Sequence, residues 1–253
     1  MCRYWMRLWL VVILSGIFGC VTPSHKALVE LPACDVTLAE QALVTAPEKI
    51  SIFPVKVDIG ELDAGGSTEL VPEWSAEGTK VVEHCVNAQV KSYPGLQVVP
   101  LPELSREDKQ VLDQYRALYE MAILNYEYIK AIPAWDHLVG RVTTVGPGMS
   151  GLREQLGTDA ILFVSGYDFH STAGRKAAFV LYAALAGAPL PMGFCKLRTG
   201  LVDVESGDIL WSFSNESPMH SLKNEQHVQQ MLNASFASFP KVRNQEGEHA
   251  EPR

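Results

Sequence analysis

The chain predicts an α/β fold: a mixed sheet of about five strands with helices packed on it. Three stretches carry that prediction. Lys49–Val57 and Gly157–Asp168 are strand-like runs with apolar residues at both odd and even positions. Only a strand covered on both sides needs apolar side chains on both faces. Between them, Ser105–Ile132 repeats apolar residues at three and four positions, the period of a helix with one buried stripe. A strand-turn-strand unit, Lys196–Phe213, closes the pattern.

In order, Lys49-Ile-Ser-Ile-Phe-Pro-Val-Lys-Val57 is the first strand, with Ile50 and Ile52 on one face and Ser51, Phe53, Val55 and Val57 on the other. Pro54 has no N–H, so pairing weakens or bulges there. Asp58–Pro72, with Gly60, Gly65 and Gly66, reads as a loop. Trp74–Tyr93 is a helix stopped by Pro94-Gly95, and Leu96–Pro100 is a short strand. Ser105 with Asp108 three residues on is a capping-box-like start to the long helix. Its expected core stripe is Val111, Tyr115, Leu118, Ala122, Tyr126 and Ile129, widened by Leu112, Tyr119 and Ile123.

Trp135–Val145 is a connector and Pro147–Leu156 a short helix before the strand ending at Asp168. The run Ala177–Phe194 is almost wholly apolar but is cut by Gly187, Pro189 and Pro191. What remains is too short to cross about 30 Å of hydrocarbon, so it is expected to cover a sheet face or make a subunit contact, with dipping into a membrane surface as the third reading. In the hairpin, Leu197, Thr199 and Leu201 alternate on one arm and Ile209, Trp211 and Phe213 on the other, around Glu205-Ser-Gly-Asp208. Ser221 is the expected cap of a last helix bearing Val228, Leu232 and Phe236.

The N-terminus has a different character. Arg3 and Arg7 precede an apolar run, Leu8–Phe18, and Gly19-Cys20 follows. Basic, apolar, then small is the order of an export signal. Ile17-Phe18-Gly19-Cys20 resembles the lipobox of bacterial lipoproteins, with Phe18 bulkier than usual at its position. The resemblance implies cleavage before Cys20 and a diacylglycerol and an acyl chain on its thiol. Val21 and Thr22, in place of an aspartate, imply the outer membrane and a periplasm-facing body. The expected organisation is a signal over 1–19, a lipidated tether over 20–48, one α/β domain over 49–239 and a loose polar tail over 240–253. Without the signal the chain keeps 19 basic and 29 acidic residues, a net −10. Such a surface excludes nucleic acid as a partner, because phosphate binding needs clustered Lys and Arg.

Three further stretches resemble one group: Ile50-Ser-Ile-Phe-Pro54, Leu156–Val164 and Leu201–Ser212. They look like landmarks of the α/β domain shared by curli-export channel lipoproteins, their lipoprotein relatives and the N-terminal domain of the Tol-system propeller protein. The resemblance implies a non-catalytic domain that binds an envelope protein or self-assembles, possessing no catalytic residues and no cofactor beyond the lipid. The long paired hairpins that build an export pore are missing from this sequence.

Other chemistry was weighed on its residues. Gly146-Pro-Gly-Met-Ser-Gly151 matches G-x-G-x-x-G, and Asp168 ends the next strand. Gly146, Gly148, Gly151 and Asp168 together give the alternative function, nucleotide binding. The short helix and the hairpin that follow it favour a plain glycine-rich turn instead. Cys34, Cys85 and Cys195 leave two outcomes open: one disulfide with a spare thiol, or three buried free thiols. The seven histidines show no paired metal spacing, so no metal is expected.

Overall fold

The computed structural model describes the backbone of 34–36 and residues 47–132, 134, 144–187 and 193–240. The export signal, Cys20, most of the tether, the connector 135–143 and the tail from 241 lie outside the described residues. The described residues form an eight-stranded mixed sheet between two helical layers. Its strands are β1 (Cys34–Val36), β2 (Lys49–Ile52), β3 (Lys56–Leu62), β4 (Thr68–Leu70), β5 (Gln97–Val98), β6 (Ala160–Ser171), β7 (Gly193–Asp203) and β8 (Ile209–Ser217). The order is β1-β8-β7-β6-β2-β5, with β3 also on β6 and β4 on β3. The α/β class holds, and the sheet is wider than the five strands expected. β1 and β4 are extra because three residues leave little periodic signal, and β3 because the single strand expected over Lys49–Val57 divides at Pro54 into β2 and β3.

β6 is the spine. One edge pairs antiparallel with β7 along eleven residues, Ala160–His170. The other edge is shared in parallel by β2 on its first part and β3 on its second. Ile52 faces Leu162 and Lys56 faces Ser165, so four steps on one strand match three on its neighbour. The extra residue is a bulge at Phe53-Pro54-Val55, where Pro54 can supply no ladder N–H. The bulge reverses parity. Phe53 enters one core, while Val55, Val57 and Ile59 join Ile50 in the other. The simple alternation expected through Val57 therefore fails after Pro54. A second irregularity, at Leu201/Val202, does the same on the hairpin. Trp211 and Phe213 share a core, and Ile209 lies in the opposite one.

Helices α1 (Pro72–Lys91) and α5 (Glu225–Phe236) cover one face. Val82, Cys85, Val86 and Val90 of α1 meet Val228, Met231, Leu232 and Phe236 of α5 over Ile59, Leu162, Leu197 and Trp211. Helix α2 (Arg106–Ala131), the 3₁₀ turn Pro147–Leu152 and α3 (Arg153–Leu156) cover the other face. There Leu112, Tyr119 and Ile123 pack on Ile161, Phe163 and Val202. Ser105 caps α2 as expected, its Oγ accepting the Asp108 N–H at 3.1 Å. The buried line of α2 is rotated from the expected one: Leu112, Tyr119 and Ile123 are its centre, and Leu118 is half exposed. The last helix is capped by Asn224, which accepts the His227 N–H. Ser221, the expected cap, instead donates its hydroxyl to Asp168.

Helix α4 (Ala173–Ala186) is an excursion between β6 and β7. Thr172 caps its start and Gly187, at φ 69°, closes it in the left-handed region. β1, in a stretch assigned to the tether by sequence, pairs antiparallel with Ser212–Ser214 at the sheet's edge.

Candidate interaction surface

The glycine-rich turn and Asp168 stand at opposite ends of β6. The turn is tied to the β7–β8 connection, where Val145 N–H donates to the Gly207 carbonyl at 2.8 Å. That connection is level with Ala160, which faces Asp203. Asp168 is eight residues further along β6, about 26 Å at 3.3 Å per residue. A ribose-binding acid must stand at the same strand end as the phosphate turn. Gly148 is also covered by Tyr115, whose ring an added Cβ would overlap. Asp168 is 1% exposed and already engaged. It accepts Ser221 Oγ and Leu222 N–H, both at 2.9 Å, and lies 3.2 Å from His170 Nε2. Gly146, Gly148, Gly151 and Asp168 therefore do not assemble a nucleotide site. Asp168 instead ties the segment before α5 to the sheet.

Cys85 and Cys195 are free and buried. Burial, then the Glu225 carboxylate, pushes the Cys85 thiol up. Burial does the same to Cys195, reinforced by Asp168 and Glu216. Both are inert thiols in apolar surroundings. The side chain of Cys34 and all of Cys20 lie outside the described residues.

Beneath the second half of α2 the sheet turns polar. Across four strands, Lys56, Ser165, Arg198 and Ser214 form one cross-strand row, and Asp58, Tyr167, Lys196 and Glu216 the next. Glu127 of α2 reaches down to both rows. It accepts Lys196 Nζ at 3.0 Å and Arg198 Nη2 at 3.2 Å. The Arg198 side chain is 7% exposed and that of Glu127 17%. Burial pushes the Glu127 carboxyl up, but Arg198 and Lys196 outweigh it and hold the carboxyl below its usual range. One turn pair earlier, Glu120 accepts the Tyr167 hydroxyl at 3.2 Å. Burial and that carboxylate push Tyr167 up to about 12. This layer fixes the rotation of α2 about its axis and so decides which side faces water.

That outward side is apolar. Leu118, Met121 and Tyr128 are 50–65% exposed, at spacings that put them along one stripe. Helix α4 goes further. No residue described between Ala173 and Leu185 is buried, and Val180, Leu181 and Leu185 are 60–82% exposed. Its inner line is Arg175, Phe179 and Ala183, with the Arg175 guanidinium over the Phe179 ring and donating to the Asp63 carbonyl. The helix thus presents its greasier side to water, the reverse of a surface helix in a soluble domain. The expectation that this run covers a sheet face is not met, since no described residue of α4 is buried. The other expected roles, a subunit contact or a segment dipping into a membrane surface, are the ones its exposure fits.

No protein-family model matches the chain. No curated protein matches it either. Similar solved structures include a PelC dodecamer from Paraburkholderia phytofirmans, 10% identical over 79% of this chain and 92% of that one, at a TM-score of 0.33. The lipoprotein GNA1162 from Neisseria meningitidis is 17% identical over 76% and 94%, also at 0.33. The LpoB C-terminal domain from Salmonella enterica is 15% identical over 69% and 84%, at 0.26. Likenesses this loose carry no argument about what the chain does.

Sequence reasoning passed over the polar layer and the outward stripe of α2. A signal for the first was present: Lys196 and Arg198 alternate with Leu197 and Thr199, two charges on the strand face that α2 covers. Charges at such positions need buried partners on the covering helix, and Glu120 and Glu127, seven residues apart, share one side of it.

Proposed function

We propose that the chain is a lipid-anchored cell-envelope protein whose periplasm-facing α/β domain binds or assembles with other proteins and performs no catalysis. The observation that carries this reading is the apolar stripe Leu118-Met121-Tyr128, held towards water by a buried charge layer. Contiguous exposed apolar surface on a well-packed domain marks an interaction site. Arg3, Arg7, the apolar run and Gly19-Cys20 support an acylated thiol at the start of the mature chain, and Val21 and Thr22, in place of an aspartate, support the outer membrane. The partner is another envelope protein or a further copy, as for an accessory of an envelope transport or secretion system.

Two measurements test the two halves. Cys20→Ser should move the protein from the membrane fraction to the soluble periplasm. A photo-crosslinker at Met121 should give a discrete adduct in intact cells that Leu118→Glu with Tyr128→Glu abolishes. Unchanged fractionation would remove the anchor, and adducts indifferent to the stripe would remove the binding surface.

A further inference from the structure

We infer that α4 is an interfacial membrane helix: its outer side, Val180, Leu181 and Leu185, lies in the acyl chains of the bilayer to which the chain is tethered. At 14 residues the helix is about 21 Å long, too short to span but long enough to lie along a surface. Two independent features choose a lipid surface as its occupant. The first is charge. The mature chain is strongly acidic, yet no Asp or Glu occurs between Asp168 and Asp203, and α4 begins with Arg175-Lys176. Arg175 turns inward over Phe179, and Lys176 is the basic residue at the edge of an apolar side free of acids, which suits the boundary between anionic headgroups and acyl chains.

The second is where the tether arrives. β6 runs towards α4 and β7 away from it, so β8, antiparallel to β7, runs towards the α4 end again. β1 is antiparallel to β8, with Cys34 facing Ser214 and Val36 facing Ser212. The chain therefore enters β1 from the α4 end of the sheet. Cys20 precedes Cys34 by fourteen residues, a span of at most about 50 Å when extended. The chain that leads back to Cys20 thus leaves the described domain at the end where α4 begins. The inference depends on the anchored reading only for this second feature.

The test uses the full chain, purified with its native N-terminus and reconstituted in vesicles of phosphatidylethanolamine and phosphatidylglycerol. An environment-sensitive dye is placed at Leu185→Cys, with Glu77→Cys on α1 as the reference position. The dye at 185 should shift to the blue on vesicle addition and be quenched by nitroxide-labelled acyl chains, while that at 77 stays in water. A dye at 185 that stays in water on vesicle-bound protein overturns the inference and leaves the anchor standing. A dye already blue-shifted without vesicles, in a chain eluting as a dimer, also overturns it, because a second copy then covers α4. The Cys20→Ser chain separates the two readings. It should still partition weakly to these vesicles, and Leu181→Glu with Leu185→Glu should lower that partition about tenfold or more. If the native chain has no acyl group and the dye at 185 still enters the vesicle, the inference stands and the anchor fails.

Discussion

Replacing Glu127 by Gln tests whether the charge layer under α2 holds the helix in place. The Arg198 and Lys196 side chains, 7% and 15% exposed, would lose the carboxylate that both contact. Removing one partner of a buried pair costs roughly 3–5 kcal/mol because the other charge stays buried. Gln keeps one acceptor oxygen and the site retains some solvent, so the expected loss is about 2–4 kcal/mol at pH 7. With a urea m-value of about 2–3 kcal/mol/M, the unfolding midpoint should fall by roughly 1 M. The pH dependence has a fixed sign. The folded carboxyl titrates below its ordinary 4.5, so its contribution is complete above that value and is lost as pH falls through the lower folded value. The gap between native protein and variant should therefore close in acid. Equal midpoints at pH 7, or a gap that widens on acidification, would refute the reasoning.

Gly200 lies under the Tyr119 ring, which is fully buried, stacked on Phe163 and hydrogen-bonded to Ser212 at 2.7 Å. Gly200→Ala should cost about 2–4 kcal/mol by overpacking and displacement of that hydroxyl, and Tyr119→Leu in the same chain should recover part of it in urea melts. Asp168→Ala strands the Leu222 N–H and the Ser221 hydroxyl, and a loss of about 2–4 kcal/mol should appear as a lower Tm. Burial and the stacked His227 ring hold His220 below its usual range. A depressed histidine contributes stability that is complete above the unfolded value of 6.5 and declines below it. The native protein should lose stability between pH 7 and 5, and His220→Phe should flatten that slope.

Much of the architecture is legible in the residues, because long periodic elements leave clear patterns. Gly157–Asp168 reads as a doubly covered strand, and Ala160, Leu162 and Val164 do face the core opposite Ile161 and Phe163. Ser105 and Gly187 end helices as their chemistry requires. The errors cluster where local pattern meets tertiary constraint. Pro54 advertises a bulge, but not that the bulge sends Val55 and Val57 to the other core. β1 is three residues long, shorter than any window that could show alternation. In α2, apolar residues encircle much of the helix, and the half-buried Glu120 and Glu127, through their partners on the sheet, decide which arc faces in. The glycine pattern misleads because spacing in sequence carries no information about which strand end a turn occupies. Cys20 and the connector at 135–143 lie outside the described residues, so the lipid site stands on its motif alone.

The arrangement of β6 also bears on when this chain can fold. Its parallel neighbour β2 is about a hundred residues upstream: Ser51 sits beside Ile161, and Lys49 N–H reaches the Asp159 carboxylate across a separation of 110 positions. Closing a loop of that length has an entropic cost that must be met before any ladder bond compensates it. β3 can pair early with β4, and β2 with β5, but the central ladder of the sheet waits until the middle strand has left the ribosome. For a chain exported as we propose, such a delay would keep the polypeptide open for threading. In this molecule the postponement is written into the order of the strands.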